Sequence, residues 1–310
     1  MSLTGRTIIM SGGSRGIGLA VGIAAARLGA NVTLLAKTDT PDPRLPGTVH
    51  TAAAEIEEAG GQALAVVGDV RDEASVENAV AQTVERFGGI DIVLNNASAI
   101  ALDGTEDLPM KRFDLMTQIQ LRGTYLLTSK SLPHLRASAN PHILSLSPPV
   151  NLSPQWLGKH PAYTLAKYGM SLLTLGWAAE YAEHGIAANC LWPETLIATA
   201  AVQNLLGGDA AVERSRTPEI VADAAMEILG RPSRECTGNT FLDVDVLREA
   251  GVTDLSKYGG TGELEYDIFV DRPLRAWSGS AAERSRSSGS TVPRSETLST
   301  PRRCACSTTC

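Results

Sequence analysis

Tyr163 and Lys167 stand four residues apart in Tyr163-Thr164-Leu165-Ala166-Lys167, a stretch that reads as helix. That spacing puts both side chains on one helix face, about one turn apart. A free phenol, with a pKa near ~10, is a poor base at neutral pH, but a neighbouring ammonium favours the phenolate and brings proton transfer within reach. The chemistry implied is a proton exchanged with a substrate oxygen. Chance also places a Tyr and a Lys four apart on many helices, so the pair gains force only from where it sits in the fold.

A second constellation lies near the start of the chain. Ser11-Gly12-Gly13-Ser14-Arg15-Gly16-Ile17-Gly18 follows an apolar run and opens a helical one. Glycines there permit a tight turn, and free N–H groups at the helix start suit a pyrophosphate. The spacing is Gly-x3-Gly-x-Gly. At the end of the second strand a reader of a 2′-hydroxyl would be a carboxylate, but Ala36-Lys37 stands there, with Arg15 in the glycine loop. Two cations suit a 2′-phosphate, so NADP is expected over NAD. Asp39 or Asp42 in the next loop is the acid that would favour NAD instead.

These groups need a scaffold that brings them to one edge. Short β-branched runs alternate with Ala-rich amphipathic runs, the pattern of a doubly wound α/β, Rossmann-like domain with one seven-stranded parallel sheet. Strands are expected at 7–10, 32–36, 63–67, 90–94, 142–146, 186–191 and 240–244, apolar throughout because both faces are covered. Gly29, Gly60-Gly61, Gly88-Gly89 and Gly185 close helices, and Thr217-Pro218-Glu219 opens one with Thr217 as cap. Residues 38–48 are too rich in Pro and Asp for helix. Gly68-Asp69-Val70 and Asn95-Asn96-Ala97-Ser98 end the third and fourth strands, on the edge where such sheets bind ligands, although either could be a simple cap or turn. Tyr163 and Lys167 fall between the fifth and sixth strands. The domain is expected to end near residue 271; residues 272–310, Ser- and Arg-rich with few apolar residues, read as a disordered tail.

The 310 residues are 43% hydrophobic and 20% charged, ample for one large core, and the formal net charge of -7 argues against nucleic acid. A small-molecule partner is expected instead. No signal-like or membrane-length apolar run appears, so a cytoplasmic location is expected. His50, His134, His142, His160 and His184 are scattered without ligand spacing, and no metal is expected. Cys190 reads as core packing; Cys304, Cys306 and Cys310 lack a second ligand pair.

In order and spacing the glycine loop, Asn-Asn-Ala, Tyr-x3-Lys and the Pro193 segment resemble the short-chain dehydrogenases, over about residues 3–271. Ala36-Lys37-Thr38, Leu45-Pro46-Gly47-Thr48, Ser145-Leu146-Ser147-Pro148-Pro149, Ala166-Lys167-Tyr168-Gly169-Met170 and Leu191-Trp192-Pro193 are similar to the hydroxysteroid dehydrogenase-like 2 group and its bacterial relatives. That name does not establish a steroid substrate. The resemblance implies hydride transfer between a nicotinamide and a carbonyl or alcohol, with Tyr163 as general acid or base, Lys167 assisting and holding the nicotinamide ribose, and a homodimer or homotetramer. It implies cofactor contacts from Gly12, Ser14, Arg15, Gly16, Ile17, Gly18, Lys37, Asp69, Val70, Asn96, Ala97, Ser98, Pro193, Thr195 and Ile197 as well as the pair.

Two departures stand out. Gln120-Leu121-Arg122-Gly123 occupies the place of the family's Asn-x-x-Gly, whose Asn holds a relay water to the Lys. The serine that orients the substrate oxygen is expected to be Ser147, with Ser145 and Ser153 behind it, but Pro148-Pro149 crowd it. These departures motivate a rival reading, a cofactor-binding sensor or scaffold with little turnover. A third reading has Trp156, Leu157, Trp192, Leu196, Ile197 and residues 200–206 form an apolar lid for long acyl or isoprenoid chains; ordinary core packing explains them equally well.

Overall fold

The computed structural model describes residues 2–42, 47–260 and 262–271. The expected tail and its three cysteines lie outside the described residues. Seven strands, β1 (Thr7–Ser11), β2 (Asn31–Ala36), β3 (Gln62–Val67), β4 (Ile92–Asn95), β5 (His142–Ser145), β6 (Ala187–Trp192) and β7 (Thr240–Leu242), form one parallel sheet in the order β3-β2-β1-β4-β5-β6-β7. The inner strands β1, β4, β5 and β6 are buried at every position, while the edges β3 and β7 are partly exposed. That is why the inner runs are apolar without alternation.

Side chains of successive strand residues feed two separate cores. Ile8, Met10, Leu34 and Leu94 pack beneath α1 (Gly16–Arg27), α2 (Val49–Glu58), α10 (Glu219–Leu229) and α11 (Asp243–Glu249). Ile9, Leu35, Val93 and Ile143 pack beneath α3 (Glu73–Phe87), α5 (Thr124–Leu135) and α7 (Pro161–Glu180). Shorter helices α4 (Met110–Met116), α6 (Pro154–Lys159), α8 (Ala200–Val202) and α9 (Gly208–Glu213) border the carboxyl edge. Strand order reverses at β1, which pairs with both β2 and β4, and this opens the crevice in which open α/β sheets take ligands.

Several expected boundaries move. Ile90 and Asp91 lie outside β4, because the Asp91 carboxylate accepts from Thr7 N (2.8 Å) and Ser138 Oγ (2.5 Å) and holds the turn before the strand. β7 stops at Leu242: Asp243 Oδ1 accepts from Val244 N (2.7 Å) and Glu194 N (2.9 Å), which starts α11. Pro218, not Thr217, caps α10, and it does so without a side-chain hydrogen bond; the Thr217 N–H is turned to Tyr258 O. Among the described residues, no helix is long and apolar enough to cross a membrane.

Candidate active site

Pro161 sits in the first turn of α7, where its missing N–H is harmless. The Thr164 hydroxyl donates to Trp156 O (3.1 Å), and His160 Nδ1 contacts Leu102 O (2.5 Å), tying the start of the helix to both flanking loops. Tyr163 and Lys167 lie one turn apart on its buried face, only 4% and 3% exposed. Lys167 Nζ donates to Leu146 O (2.9 Å) and faces the Trp192 ring, 5.1 Å from its centroid. Burial pushes the Lys167 ammonium down to about 8, opposed by the Asp267 carboxylate. Burial likewise pushes the Tyr163 phenol upward, and Asp267 adds to the rise. The spacing argument expects Lys167 to favour the phenolate; here desolvation of the phenol dominates, so Tyr163 holds its proton.

The three serines have different surroundings. Ser145 Oγ accepts from Thr174 Oγ1 (2.7 Å) and Asn95 Nδ2 (3.4 Å), deep in the sheet. Ser147 is fully buried with an unpartnered Oγ that lies against the Cys190 thiol. Ser153 Oγ, beside α6, is also buried and unpartnered. Two hydroxyls thus remain uncommitted, one of them the expected Ser147.

Gln120 lies on a π-helical turn, Thr117–Gly123, between α4 and α5, and is fully buried. Such single turns recur at functional sites. With its nitrogen toward the carbonyls, the Gln120 amide donates to Ala99 O (2.9 Å) and Met116 O (3.2 Å). Among the described residues, no hydrogen bond joins it to Lys167. The sequence reading makes Gln120→Asn neutral or beneficial to turnover; the geometry argues otherwise, since a shorter amide cannot reach both carbonyls. Gln120→Asn is expected to lower stability by about 1–3 kcal/mol, the range for stranding buried polar groups, and to do so as a lower urea midpoint. An unchanged midpoint with raised turnover would restore the relay role to this position.

The expected cofactor residues gather at the crevice. Gly12, Gly13 and Gly16 have φ of 80°, 93° and 57°, which other residues rarely adopt. A Cβ on Gly12 would stand 2.7 Å from Asn96 Nδ2, and one on Gly18 would stand 2.7 Å from Gly13 Cα. The N-terminus of α1 has no side-chain cap, so the N–H groups after Arg15, at Gly16, Ile17 and Gly18, are not engaged by a capping side chain. Ser14 is buried in the same turn, and its carbonyl lies 2.8 Å from where a Cβ on Gly47 would stand. Ser11 Oγ accepts from Asn96 N and Ala97 N (3.1 Å each), joining β1 to the segment that carries Ser98. This cradle fits a dinucleotide.

Arg15 donates to Thr38 Oγ1 (3.1 Å) and Gly47 O (3.0 Å). Lys37 pairs with Asp69 (3.2 Å), which Arg71 also grips (2.6 Å); these bonds, Arg71 first, hold the Asp69 carboxyl far below its usual range. Asp39 is engaged by His50 (2.8 Å). Val70, beside Asp69, is buried under the π turn, where a Cβ on Gly123 would meet it at 2.9 Å. Thr195 and Ile197, after Pro193, are buried and bridge to Tyr266 and Arg216.

Sequence reasoning missed four groups. Asp267, Phe269 and Asp271 come from the segment 265–271, packed beside Tyr163, and Asp243 from the start of α11. The run Ile268-Phe269-Val270 between two acids was the available signal for an anchored segment. Asp243 is 1% exposed with Oδ2 unpartnered, and burial pushes its carboxyl up to about 7. A folded-state pKa raised from 3.8 means that the folded chain keeps a proton that the unfolded chain has released. The stability it confers is full at acid pH and is lost as pH rises from 3.8 through about 7. Asp243→Asn keeps the Oδ1 acceptor and should flatten that loss, at most about 4 kcal/mol. Melting temperatures on both sides of the window check this; equal slopes for both proteins would refute it.

Residues 6–208 match the family model for the short chain dehydrogenases. The chain belongs to the short-chain dehydrogenase/reductase family, a family of oxidoreductases that use nicotinamide cofactors on small molecules. It is 54% identical over 271 residues to hydroxysteroid dehydrogenase-like protein 2 of Danio rerio, which covers 87% of this chain and 65% of that protein. The chain thus spans about two-thirds of that relative, and 51% of the Rattus norvegicus protein of the same name. Among solved structures it resembles a putative dehydrogenase from Xanthomonas campestris (51% identity, TM-score 0.85, 88% of this chain and 100% of that one). It also resembles a short chain dehydrogenase from Mycobacterium thermoresistibile (57%, TM-score 0.84, 90% and 100%).

Proposed function

We propose that this chain is an NADP-preferring oxidoreductase that interconverts an apolar carbonyl compound and its alcohol. The observation that carries this reading is the Tyr163–Lys167 pair, buried one turn apart on α7 with Lys167 anchored to Leu146 O. Tyr163 exchanges its proton with the substrate oxygen. Lys167, held by that carbonyl, presents its remaining donors to the nicotinamide ribose. Ser147 or Ser153 supplies the hydroxyl that orients the substrate oxygen. The glycine loop and the N-terminus of α1 take the pyrophosphate, with Arg15 and Lys37 on the 2′-phosphate and the segments of Val70, Asn96, Ala97, Ser98, Pro193, Thr195 and Ile197 along the rest. NADP(H) supplies or takes the hydride when bound.

NADPH consumption across a panel of aldehydes and ketones, with NADP reduction across alcohols, tests the reading. Turnover with at least one apolar carbonyl is expected. Silence across the panel, with NADPH still bound, would favour the sensor or scaffold reading instead. Tyr125, Leu165 and Leu172, 55%, 55% and 61% exposed, lie on α5 and α7 beside a groove walled by Leu121 and Trp177. This apolar face supports self-association as a homodimer or homotetramer, which light scattering measures.

A further inference from the structure

Residues 265–271 form a strap across the site. One end is pinned to the end of β6 and the loop after it: Leu196 N donates to Glu265 O (2.9 Å), Asp267 N to Glu194 O (3.0 Å) and Trp192 Nε1 to Ile268 O (2.9 Å). The other end is pinned to the loop after β5 and to α6, where the Asp271 carboxylate accepts from Asn151 Nδ2 (2.7 Å), Gln155 Nε2 (2.8 Å) and Trp156 Nε1 (2.8 Å). Between them stands Phe269, 2% exposed. Its ring lies nearly parallel to that of Tyr163 (14°, centroids 6.2 Å apart) and also meets Tyr168 (5.0 Å), Trp156 (6.0 Å) and Trp192 (6.1 Å).

Among the described residues, Phe269 is the one non-glycine residue with positive φ (75°). Bulky side chains enter that region only where their surroundings over-determine it, and such positions cluster at ligand clamps and switch segments. The ring packs beside that of Tyr163, and Tyr163, Lys167 and Ser147 are all buried. The body of a substrate seated at Tyr163 therefore meets the Phe269 ring, which must yield to it. The first half of the strap is held by backbone pairing. The Asp271 end is held by side-chain bonds to an exposed carboxylate, which water replaces at little cost.

We propose that Phe269 is the specificity-determining residue of the site, a ring that closes the approach to Tyr163 and gives way to substrates bearing a flat apolar group. This rests on the oxidoreductase reading above. Displacing the ring uncovers the faces of Tyr163, Tyr168, Trp156 and Trp192. A substrate with an aromatic or fused-ring body covers those faces again and stacks on the displaced Phe269 ring, which offsets the loss. A small polar carbonyl covers nothing and is rejected.

Full-length protein is assayed with NADPH and two probes, propanal and naphthaldehyde, as wild type, Phe269→Ala, Phe269→Leu and Asp271→Asn. Phe269→Ala should raise kcat/KM for propanal and lower it for naphthaldehyde, moving their ratio by about tenfold or more, with Phe269→Leu between. An unchanged ratio overturns the proposal. A second measurement needs neither cofactor nor turnover. In Asp271→Asn, where the loosened strap uncovers Trp156 and Trp192, benzyl alcohol should lower acrylamide quenching of tryptophan emission because its ring covers those faces again, whereas propanol should not. Asp271→Asn should show the higher quenching without ligand. If no carbonyl turns over, the oxidoreductase reading fails and quenching alone judges the strap: identical quenching in every case overturns it. Phe269→Leu and Asp271→Asn carry both measurements should Phe269→Ala not fold.

Discussion

Tyr163→Phe is expected to lower kcat by about 10²–10⁴-fold, the range for removing a positioned acid or base, while the dissociation constant for NADPH changes little. The substitution deletes one oxygen from a side chain that is already enclosed. The ring keeps its place against Phe269, and among the described residues no hydrogen bond reaches its hydroxyl, so the fold loses almost nothing. What is lost is the proton. Because burial and Asp267 raise the Tyr163 phenol, it is protonated across neutral pH and ready as an acid for carbonyl reduction. The alcohol-oxidising direction needs the phenolate and should accelerate as pH rises. Single-turnover NADPH oxidation and a fluorescence titration of NADPH measure the two quantities. Activity above roughly a tenth of wild type would remove Tyr163 from the proton-transfer role.

What the chain's amino acids revealed in advance follows a physical line. Inner strands such as β5 and β6 were legible because burial on both faces requires unbroken apolar runs. The glycine loop was legible because Gly12, Gly13 and Gly16 adopt backbone angles that other residues avoid. Asp271 binds Asn151, 120 positions away, and no local pattern encodes such a pairing. The same holds for Lys37, whose pairing with Asp69 across β2 and β3 appears only once the strands are in register. Facing was the other gap. Ser147 was found at the end of a strand, but that its hydroxyl lies against Cys190 depends on the path of the backbone through Pro148 and Pro149. Gln120 looked like a lengthened relay residue, whereas the π turn beneath it makes the longer amide a clamp on Ala99 and Met116.

Arg15→Ala is expected to weaken NADPH by about 10–100-fold, the equivalent of one charge-assisted contact, and NADH by far less. Only NADPH carries the 2′-phosphate, so NADH is the internal control for damage to the loop. Arg15 is well placed to act strongly: its guanidinium is fixed by Thr38, just past β2, and by Gly47, just before α2, and has donors to spare. Lys37 should matter less, about threefold to tenfold, for two reasons. Its side chain is 59% exposed, so solvent screens it, and it is already paired with Asp69. A 2′-phosphate would have to draw Lys37 from that carboxylate, which Arg71 holds ionised. Asp69→Asn removes the competitor and should therefore tighten NADPH through Lys37, an effect that vanishes when Lys37→Ala is also present. The two cations serve one phosphate, so the Arg15→Ala, Lys37→Ala double variant should lose less than the sum of the single losses. Titration of both cofactors against the five variants separates the cases. Equal losses for NADH and NADPH would mean that Arg15 and Lys37 shape the loop rather than read the phosphate, and the preference for NADP would fall with them.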